Sequence, residues 1–188
     1  MANKNTPFGF RPIIRAGGSP FSINQYAKLA SDPNAIFAFD LVVRVASQIP
    51  NPEQPMYNLP GVQTGYQAVP GTSLFLGASI GYGAAGLLSL HPVTDEIDVV
   101  YIAQAKTGVN ITTAADAGMN ANVSLTLPGN LNTKMSQMAV DSATIATTAT
   151  LDLRILRVAM ILPNAEGDSA ILEVQINKPQ LGPQTLGI

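Results

Sequence analysis

The chain has 188 residues, no cysteine and a formal net charge of −2 at pH 7. This length suits one domain with a sizeable core, and the absence of cysteine excludes disulfides, thiolate zinc sites and cysteine nucleophiles. Lysine and arginine form no cluster along the chain, so we expect no direct contact with nucleic acid, whose phosphates would require one.

Charged residues are scarce. They make up 12% of the chain, whereas soluble proteins carry roughly 25%, and residues 54–94 contain no Asp, Glu, Lys or Arg. Such a stretch indicates either a surface that faces another protein or a neutral polar surface on a monomer. Both alternatives stay open from composition, although the depletion favours assembly because the cores of interfaces are poor in charge.

The first 21 residues are predicted to form an extended N-terminal arm. They contain three prolines, which remove backbone donors and favour extended conformations over regular structure. Their side chains are too apolar for a freely solvated tail, so we expect the arm to dock on its own fold or on a neighbouring subunit. The candidate contact residues in the arm are Phe8, Phe10 and Arg11.

Residues 22–177 are predicted to form one β domain. Residues 22–30 and 35–47 read as its first strands, and the mixed apolar period of the second indicates burial on both faces or a bulge. Residues 48–72 follow as a proline-rich loop, which is longer than a compact fold needs and is therefore a candidate functional surface. Its candidate contact residues are Tyr57 and Tyr66.

The glycine-rich segment 81–86 satisfies the pattern G-x-G-x-x-G and follows a predicted strand at residues 73–80. Dinucleotide binding needs a helix to begin at the last glycines and an acidic residue about 20 positions further on. Here Pro92 interrupts a short strand at residues 87–90, and residues 97–105 read as a strong central strand. We therefore predict a hairpin turn and no cofactor.

His91 is the one histidine of the chain. A general base needs a nucleophile within hydrogen-bonding reach, and its nearest candidates in sequence are Ser89, Thr94 and Asp95. Because neighbours along one strand rarely converge, we favour a structural histidine over catalysis or a protonation-sensitive contact at an interface. No catalytic residue is predicted, and we expect that the protein is not an enzyme.

Asp95, Glu96 and Asp98 form the one acidic group that could hold calcium through oxygen ligands. The D-x-D-x-D-G loop of a calcium site is missing, so a solvated turn before a strand is the favoured interpretation. We predict no metal.

The clearest pattern in the chain is a strand, a turn and a returning strand over residues 147–176. The apolar alternation slips by one residue at Ile155 and Leu156, which predicts a bulge or burial on both faces. The shifted alternation continues to Leu162, and residues 163–168 supply the turn. This pattern predicts a long antiparallel hairpin.

Two arginines, Arg154 and Arg157, rise from the first strand of this hairpin. Asp152 and Glu173 could pair with them across the hairpin, which is the ordinary arrangement in a sheet. The alternative is a salt bridge between subunits, which makes both arginines candidate interface residues.

The remaining segments complete an all-β prediction. Thr112 begins a short helical turn that Gly118 ends, and residues 123–127, 136–140 and 142–147 read as short strands. Residues 178–188 form an extended C-terminal tail with Leu181, Leu186 and Ile188 as candidate contacts. No helical apolar period persists for three turns, so we predict an antiparallel β-barrel or sandwich with an extended arm and tail.

Three segments carry a family resemblance: MANKNTPFGFRPI, AIFAFDLVVRV and DSATIATTATLDLRILRVAMILPNAEGDSAILEVQIN. Together they resemble the small capsid decoration proteins of tailed bacteriophages, which are also called stabilisation or cement proteins. In that family an N-T-P-x-G-F-R-P segment precedes a β-barrel, and a Thr-Ala-Thr strand and an Asn/Glu-Gly-Asp hairpin lie near the end. The resemblance covers both ends of the chain, is weak at residues 95–127 and leaves residues 48–94 unmatched.

The resemblance implies a structural virion protein that binds the outer surface of an assembled capsid and ties neighbouring major capsid proteins together. Its expected partners are the major capsid protein and further copies of itself, as a homotrimer. It implies synthesis in the host cytoplasm and a final place on the capsid. A membrane partner is not expected, because no unbroken apolar run is longer than that at residues 158–162, which is far too short to cross a bilayer.

Other classes of protein remain as alternatives. Another virion component, such as a tail-tube, head-tail adaptor or fibre-base protein, would differ by forming a hexameric ring or a trimeric fibre. A ligand-binding β-barrel would instead be a monomer with an apolar cavity, and an enzyme would need a catalytic constellation that the sequence does not display.

Overall fold

A computed structural model describes residues 3–50, 58–65, 74–126 and 129–181. These residues form a nearly all-β fold with two sheets, one of them closed as a barrel, so the predicted all-β class with a barrel or sandwich is confirmed. Within these ranges, no helix has both the length and the hydropathy of a membrane span. The strands are β1 (Arg11–Arg15), β2 (Asn24–Lys28), β3 (Leu41–Pro50), β4 (Asn58–Thr64), β5 (Gly77–Ser79), β6 (Ser89–Thr94), β7 (Val99–Gln104), β8 (Asn120–Ser124), β9 (Ala139–Ala146), β10 (Leu153–Val158) and β11 (Ile171–Ile176), and the helix is α1 (Thr113–Asp116).

The barrel closes in the order β2-β4-β3-β5-β6. Its pairs are antiparallel except β2 with β4, which are parallel at Ala27 and Gly61. A small apolar cluster that includes Tyr26, Val42 and Val93 fills it. Closure leaves no free edge in this sheet.

The second sheet has six antiparallel strands in the order β1-β7-β11-β10-β8-β9. One of its faces forms the main core, where Tyr101 and Leu153 are buried. Leu41 and Ala78 from the barrel strands belong to the same apolar cluster. The barrel and the six-stranded sheet therefore share one core, as in a two-layer β protein.

The predicted hairpin is present as β10 and β11, and its register shifts between Ile155 and Arg157. The slip in apolar period predicted either a bulge or burial on both faces, and the structure has the bulge. The predicted continuation of the strand to Leu162 is wrong, because the strand ends at Val158. Asn164 closes the ladder there: its Nδ2 donates to the carbonyls of Ala159 (2.8 Å) and Ile171 (2.9 Å), and its Oδ1 accepts from the backbone N–H of Ile171 (2.9 Å).

Proline misled the prediction at two strands. Residues 11–15, expected to lack regular structure, form β1 despite Pro12, because β1 is an edge strand and needs no donor on its free side. Strand β6 runs through Pro92, which pairs with Gln25 and accepts from the backbone N–H of Ile80 (2.7 Å). Position 92 tolerates proline because the ladder with β5 ends at Ser79.

Three smaller predictions can also be compared with the fold. Part of the expected loop at residues 48–72 is strand β4, which β3 and β2 hold on its two sides. The mixed apolar period of residues 35–47 corresponds to a bulge between Val45 and Gln48 in β3. The helical turn is confirmed: Thr112 caps α1 by accepting from the backbone N–H of Ala115 (3.3 Å), and Gly118 follows with a φ of +83°.

Candidate interaction surface

The face of the six-stranded sheet that points away from the core brings together the three arginines predicted as contacts. Register places Arg11 opposite Ile102, Ile102 opposite Glu173, and Glu173 opposite Arg157, so these four residues form one row across four strands. Arg154 lies opposite Gln175 in the adjacent row. We call this face the outer face. Its arrangement follows from strand order, which the sequence does not reveal.

Two β-bulges shape the outer face. The register of β1 shifts between Pro12 and Ile14, and Ile14 then lies opposite Val100. The bulge in β10 turns Leu156 to the same side as Arg157, where both line one groove. Bulges often re-aim a side chain in this way. The result is an aliphatic strip on a face that a two-layer β protein would otherwise leave polar.

The groove on this face has a volume of about 370 Å³ and is called the outer-face groove. Val100, which is buried, forms its floor, and Ile14 and Leu156 form its walls. Arg157 and Glu173 stand at the rim as a cross-strand ion pair with 2.9 Å between Arg157 Nε and Glu173 Oε2. The groove thus combines an apolar floor with paired charges at its border.

The cross-strand pairing expected for the two arginines occurs at Arg157 alone. Arg154 is exposed and forms no ion pair with any residue that the structure describes. Asp152 is buried, and its Oδ2 accepts from the backbone N–H of Val123 (3.0 Å). This hydrogen bond ties the residue before β10 to β8, and no ion pair joins Asp152 to either arginine in the described ranges.

A second ion-pair network borders the groove. Arg15 Nε lies 2.9 Å from Asp98 Oδ1, and an Arg15 guanidinium nitrogen lies 3.5 Å from Glu96. These carboxylates raise the pKa of Arg15, chiefly through its hydrogen bond with Asp98. Asp95, by contrast, is buried and accepts from Asn24 (2.8 Å) and the Tyr26 hydroxyl (2.5 Å). The acidic group is thus divided between separate structural roles, and no cluster of three potential ligands for a metal occurs in the described ranges.

The arm residues do not act as one exposed anchor. Phe10 is fully buried in the main core, and its N–H donates to the carbonyl of Phe39 (2.8 Å). The sequence predicts Phe10 as a candidate contact residue. The structure corrects this prediction, because Phe10 is a core residue. Arg11 is exposed, and its guanidinium lies 5.8 Å from the centre of the Phe8 ring and 5.1 Å from that of Phe39. These are distances of cation–π contacts.

The segment before β1 is held by side-chain hydrogen bonds. Gln104 accepts from the N–H of Thr6 (2.8 Å) and donates to the carbonyls of Lys4 (2.7 Å) and Ser169 (2.9 Å). Asn3 donates to the carbonyls of Ala165 (2.8 Å) and Asp168 (3.0 Å) in the turn after β10. From residue 3 onward the arm is therefore bound to its own fold.

The candidate contacts in the proline-rich loop and tail fall mostly outside the described residues. Tyr57, Tyr66, Leu186 and Ile188 all lie there. Leu181 is described and exposed. Next to it, Gln180 Nε2 donates to the carbonyl of Arg44 (3.1 Å) and its Oε1 accepts from the Arg44 N–H (2.7 Å), so the tail is fastened to β3 up to this residue.

His91 is a buried member of the barrel wall. Its Nδ1 lies 3.1 Å from Ser79 Oγ and its Nε2 lies 3.0 Å from Ser89 Oγ. Ser79 donates its hydroxyl proton to the carbonyl of Gly81 (3.0 Å), so the ring proton is on Nδ1 and Nε2 accepts from Ser89. Burial, together with the nearby charge of Lys28, lowers the pKa of His91 to about 4.

These contacts favour the structural interpretation of His91. A distance of 3.0 Å from Ser89 is also what a general base would show, but the ring is fully enclosed, and a serine instead of a carboxylate holds its Nδ1. The glycine-rich segment beside it is a turn, in which Gly83 bridges to Ile36 before β6 begins. No helix opens there, so the G-x-G-x-x-G pattern lacks the context that dinucleotide binding requires.

Two features gave no recognised signal in the sequence. Asp40 is fully buried, accepts from the Phe37 N–H (2.9 Å) and the Thr64 hydroxyl (3.2 Å), and has its pKa raised to about 6 by burial. Met160, Ile161 and Leu162 are exposed in the turn after β10 and are called the apolar tip. The sequence does not reveal the tip, because its apolar residues continue the alternation of β10. That alternation predicts a longer strand in which these residues would be partly buried.

Comparisons with known proteins add no relative. No family model matches the chain, and neither a curated protein nor a solved structure shows significant similarity to it. The class that the fold defines is therefore a two-sheet, all-β protein with a closed barrel. Its function has to be argued from its surface.

Proposed function

We propose that the protein is a capsid decoration, or cement, protein of a tailed bacteriophage. It binds the outer surface of the assembled head and holds neighbouring major capsid proteins together. The motifs at the two ends of the sequence resemble this family. The surface of the fold gives the physical support for the proposal.

The observation that carries the proposal is the amount of apolar side chain on a surface that is poor in charge. Single exposed aliphatic residues are normal in monomers, but here they occur in consecutive runs: Ile13 with Ile14, Leu87 with Leu88, and the apolar tip. Contiguous apolar surface of this kind is typical of protein–protein contacts. A component covered by its neighbours in a particle would need such a surface.

The edges of the sheets favour contacts through side chains. The barrel is closed, β1 carries Pro12 and a bulge, and the register of β9 shifts strongly between its pairs with Asn120 and Asn122. These features blunt edge strands and oppose uncontrolled strand addition. A protein present in many copies on one particle gains from this arrangement, because it can bind neighbours without extending its sheets into fibres.

Retention on the head would follow from several weak contacts. Each exposed run offers a modest apolar interface, and one copy that touches several capsid proteins at once engages the later ones at high effective concentration. Such a protein should bind assembled shells far more tightly than single capsid proteins. This difference distinguishes a decoration protein from an ordinary binding partner.

The test is co-sedimentation of the full chain with heads of the phage that encodes it, assembled without the chain. We expect saturable recovery in the pellet, no complex with unassembled major capsid protein, and heads that disrupt at a higher temperature. Cryo-electron microscopy of saturated heads should locate the chain on the outside. Recovery with tails or necks instead of heads would favour the alternative virion components, and a chain that stays in the supernatant at every concentration would overturn the proposal.

A further inference from the structure

Met160 is the most exposed of the four methionines that the structure describes. It is 86% exposed, whereas Met138 is fully buried and Met119 and Met135 are partly buried. Met160 begins the apolar tip, whose other two side chains are pure hydrocarbon. The thioether sulfur of Met160 is therefore the one chemically reactive side-chain atom that the tip presents to water.

The composition of the chain makes this sulfur a candidate for oxidation. Cysteine and tryptophan are both absent, so neither a thiol nor an indole competes with the methionines for an oxidant. Oxidation converts the thioether of methionine to a sulfoxide, and susceptibility to oxidation follows exposure. Among the described methionines, Met160 should therefore react first.

The turn that carries Met160 is fixed by bonds in which its side chain takes no part. Asn164 Nδ2 donates to the carbonyls of Ala159 (2.8 Å) and Ile171 (2.9 Å), on the two sides of the turn. Met160 belongs to neither apolar cluster of the described core. Oxidation of Met160 can therefore change the surface and leave the fold intact, whereas a sulfoxide at the buried Met138 would disrupt the core.

A sulfoxide would change the character of the apolar tip. The thioether is apolar, but the sulfoxide is polar and chiral, and its oxygen accepts hydrogen bonds from water. Leu162, which is 98% exposed, lies only two residues further along the same turn. The added oxygen would therefore interrupt a run of consecutive apolar side chains.

We propose that Met160 is a reversible oxidation site that switches the tip between an apolar and a polar surface. Hydrogen peroxide supplies the oxygen atom: its O–O bond breaks, an S=O bond forms at Met160, the sulfur loses two electrons, and the second peroxide oxygen leaves as water. Methionine sulfoxide reductase reverses the step, because two thiols give up two electrons and form a disulfide while the sulfoxide oxygen leaves as water. The exposure of Met160 gives both reagents access to the sulfur. This inference goes beyond the proposed function, and neither of its tests uses heads, so the two can fail independently.

The first test is the rate at which hydrogen peroxide oxidises the full chain, followed by peptide mass spectrometry. Cleavage after lysine and arginine places Met160 and Met119 in separate peptides, each without a second methionine. We expect Met160 to gain an oxygen atom at least about fivefold faster than Met119 in the native protein, with rates that converge in denaturant. Equal rates in the native protein would overturn the inference.

The second test is the retention of the chain on a hydrophobic-interaction column. Peroxide should shift the wild type to earlier elution, and treatment with both reductases, one for each sulfoxide epimer, should restore the original elution. The melting temperature should stay the same. The matched control is Met160→Leu, which keeps an apolar side chain without sulfur and should elute late with or without peroxide. An equal shift in Met160→Leu, a melting temperature lowered by oxidation of Met160, or a sulfoxide that both reductases leave in place would each overturn the inference.

Discussion

A Cβ atom added to Gly83 would overlap the Nε2 atom of His91, so the glycine-rich turn and the buried imidazole fit together only because residue 83 lacks a side chain. The same added atom would approach Ser89 Oγ to 2.6 Å. Within the G-x-G-x-x-G pattern, Gly83 is therefore needed for packing against His91 and Ser89 in the barrel.

Gly83→Ala should lower the free energy of unfolding by about 1–3 kcal/mol, the usual cost of forcing an extra carbon into a packed site. Chemical denaturation measures the effect. The control is Gly17→Ala, where the added carbon would meet nothing within 4 Å and stability should change by less than about 0.5 kcal/mol. Equal stability of the two variants would contradict the packing role of Gly83.

The His91 ring should remain neutral, with its proton on Nδ1, down to a pH near 4. Its folded pKa of about 4 lies below the ordinary value of 6.5, so the unfolded chain binds the proton more readily and His91 removes stability as the pH falls from 6.5 to 4. The full effect is on the order of 3 kcal/mol. Because the chain has one histidine, nitrogen-15 NMR of its ring reports both tautomer and titration without ambiguity. A midpoint near 6.5 would show that the ring is not enclosed as described.

Asp40 should act in the opposite direction. Burial raises its pKa from 3.8 to about 6, so the folded protein holds this proton more tightly, and Asp40 removes stability as the pH rises from about 4 to about 6. Asp40→Asn eliminates the buried charge at the same size. Relative to the wild type, the free energy of unfolding of the variant should increase by on the order of 3 kcal/mol when the pH is raised from about 4 to about 7.5. If chemical denaturation gives the same difference in free energy of unfolding between the two proteins at both pH values, the prediction is wrong.

Phe10 should contribute far more to stability than Phe8, although both precede the first strand. Phe10→Ala removes a fully buried ring from the main core and should cost about 3–5 kcal/mol. Phe8→Ala removes a partly exposed ring that lies against the Arg11 guanidinium, and its cost should be nearer about 1 kcal/mol. Thermal and chemical unfolding compare them. Similar losses would mean that residues 3–10 do not share the main core.

Local patterns predicted the parts of the fold that local interactions decide. The bulge between Ile155 and Arg157 could be predicted as one of two alternatives, because an extra residue in one strand and burial on both faces each produce a slip in a two-residue period. The cap at Thr112 could be inferred because a hydroxyl before helix formers is a local signal. Strand pairing is not local. Nothing in the sequence shows that β1 lies at an edge, where Pro12 is tolerated, or that β2 and β4 run parallel.

The candidate surface was predictable only in part. Arg154 and Arg157 could be singled out because they interrupt an apolar strand, but the row that joins Arg11, Ile102, Glu173 and Arg157 depends on the order of four strands. The apolar tip was missed because Leu162 continues the alternation of β10. The tip is exposed because the side chain of Asn164 ends the ladder between β10 and β11. This end lies four residues earlier than the apolar pattern indicates.

Asp40 and His91 belong to the same barrel and change protonation over overlapping intervals, from 3.8 to about 6 and from about 4 to 6.5. As the pH falls, the folded protein gains stability because it holds a proton at Asp40 more tightly than the unfolded chain does, and it loses stability because the unfolded chain takes up a proton at His91 that the buried ring does not. The two responses largely cancel, and the barrel should tolerate moderate acidification with an almost level melting temperature, a property that neither group would confer by itself.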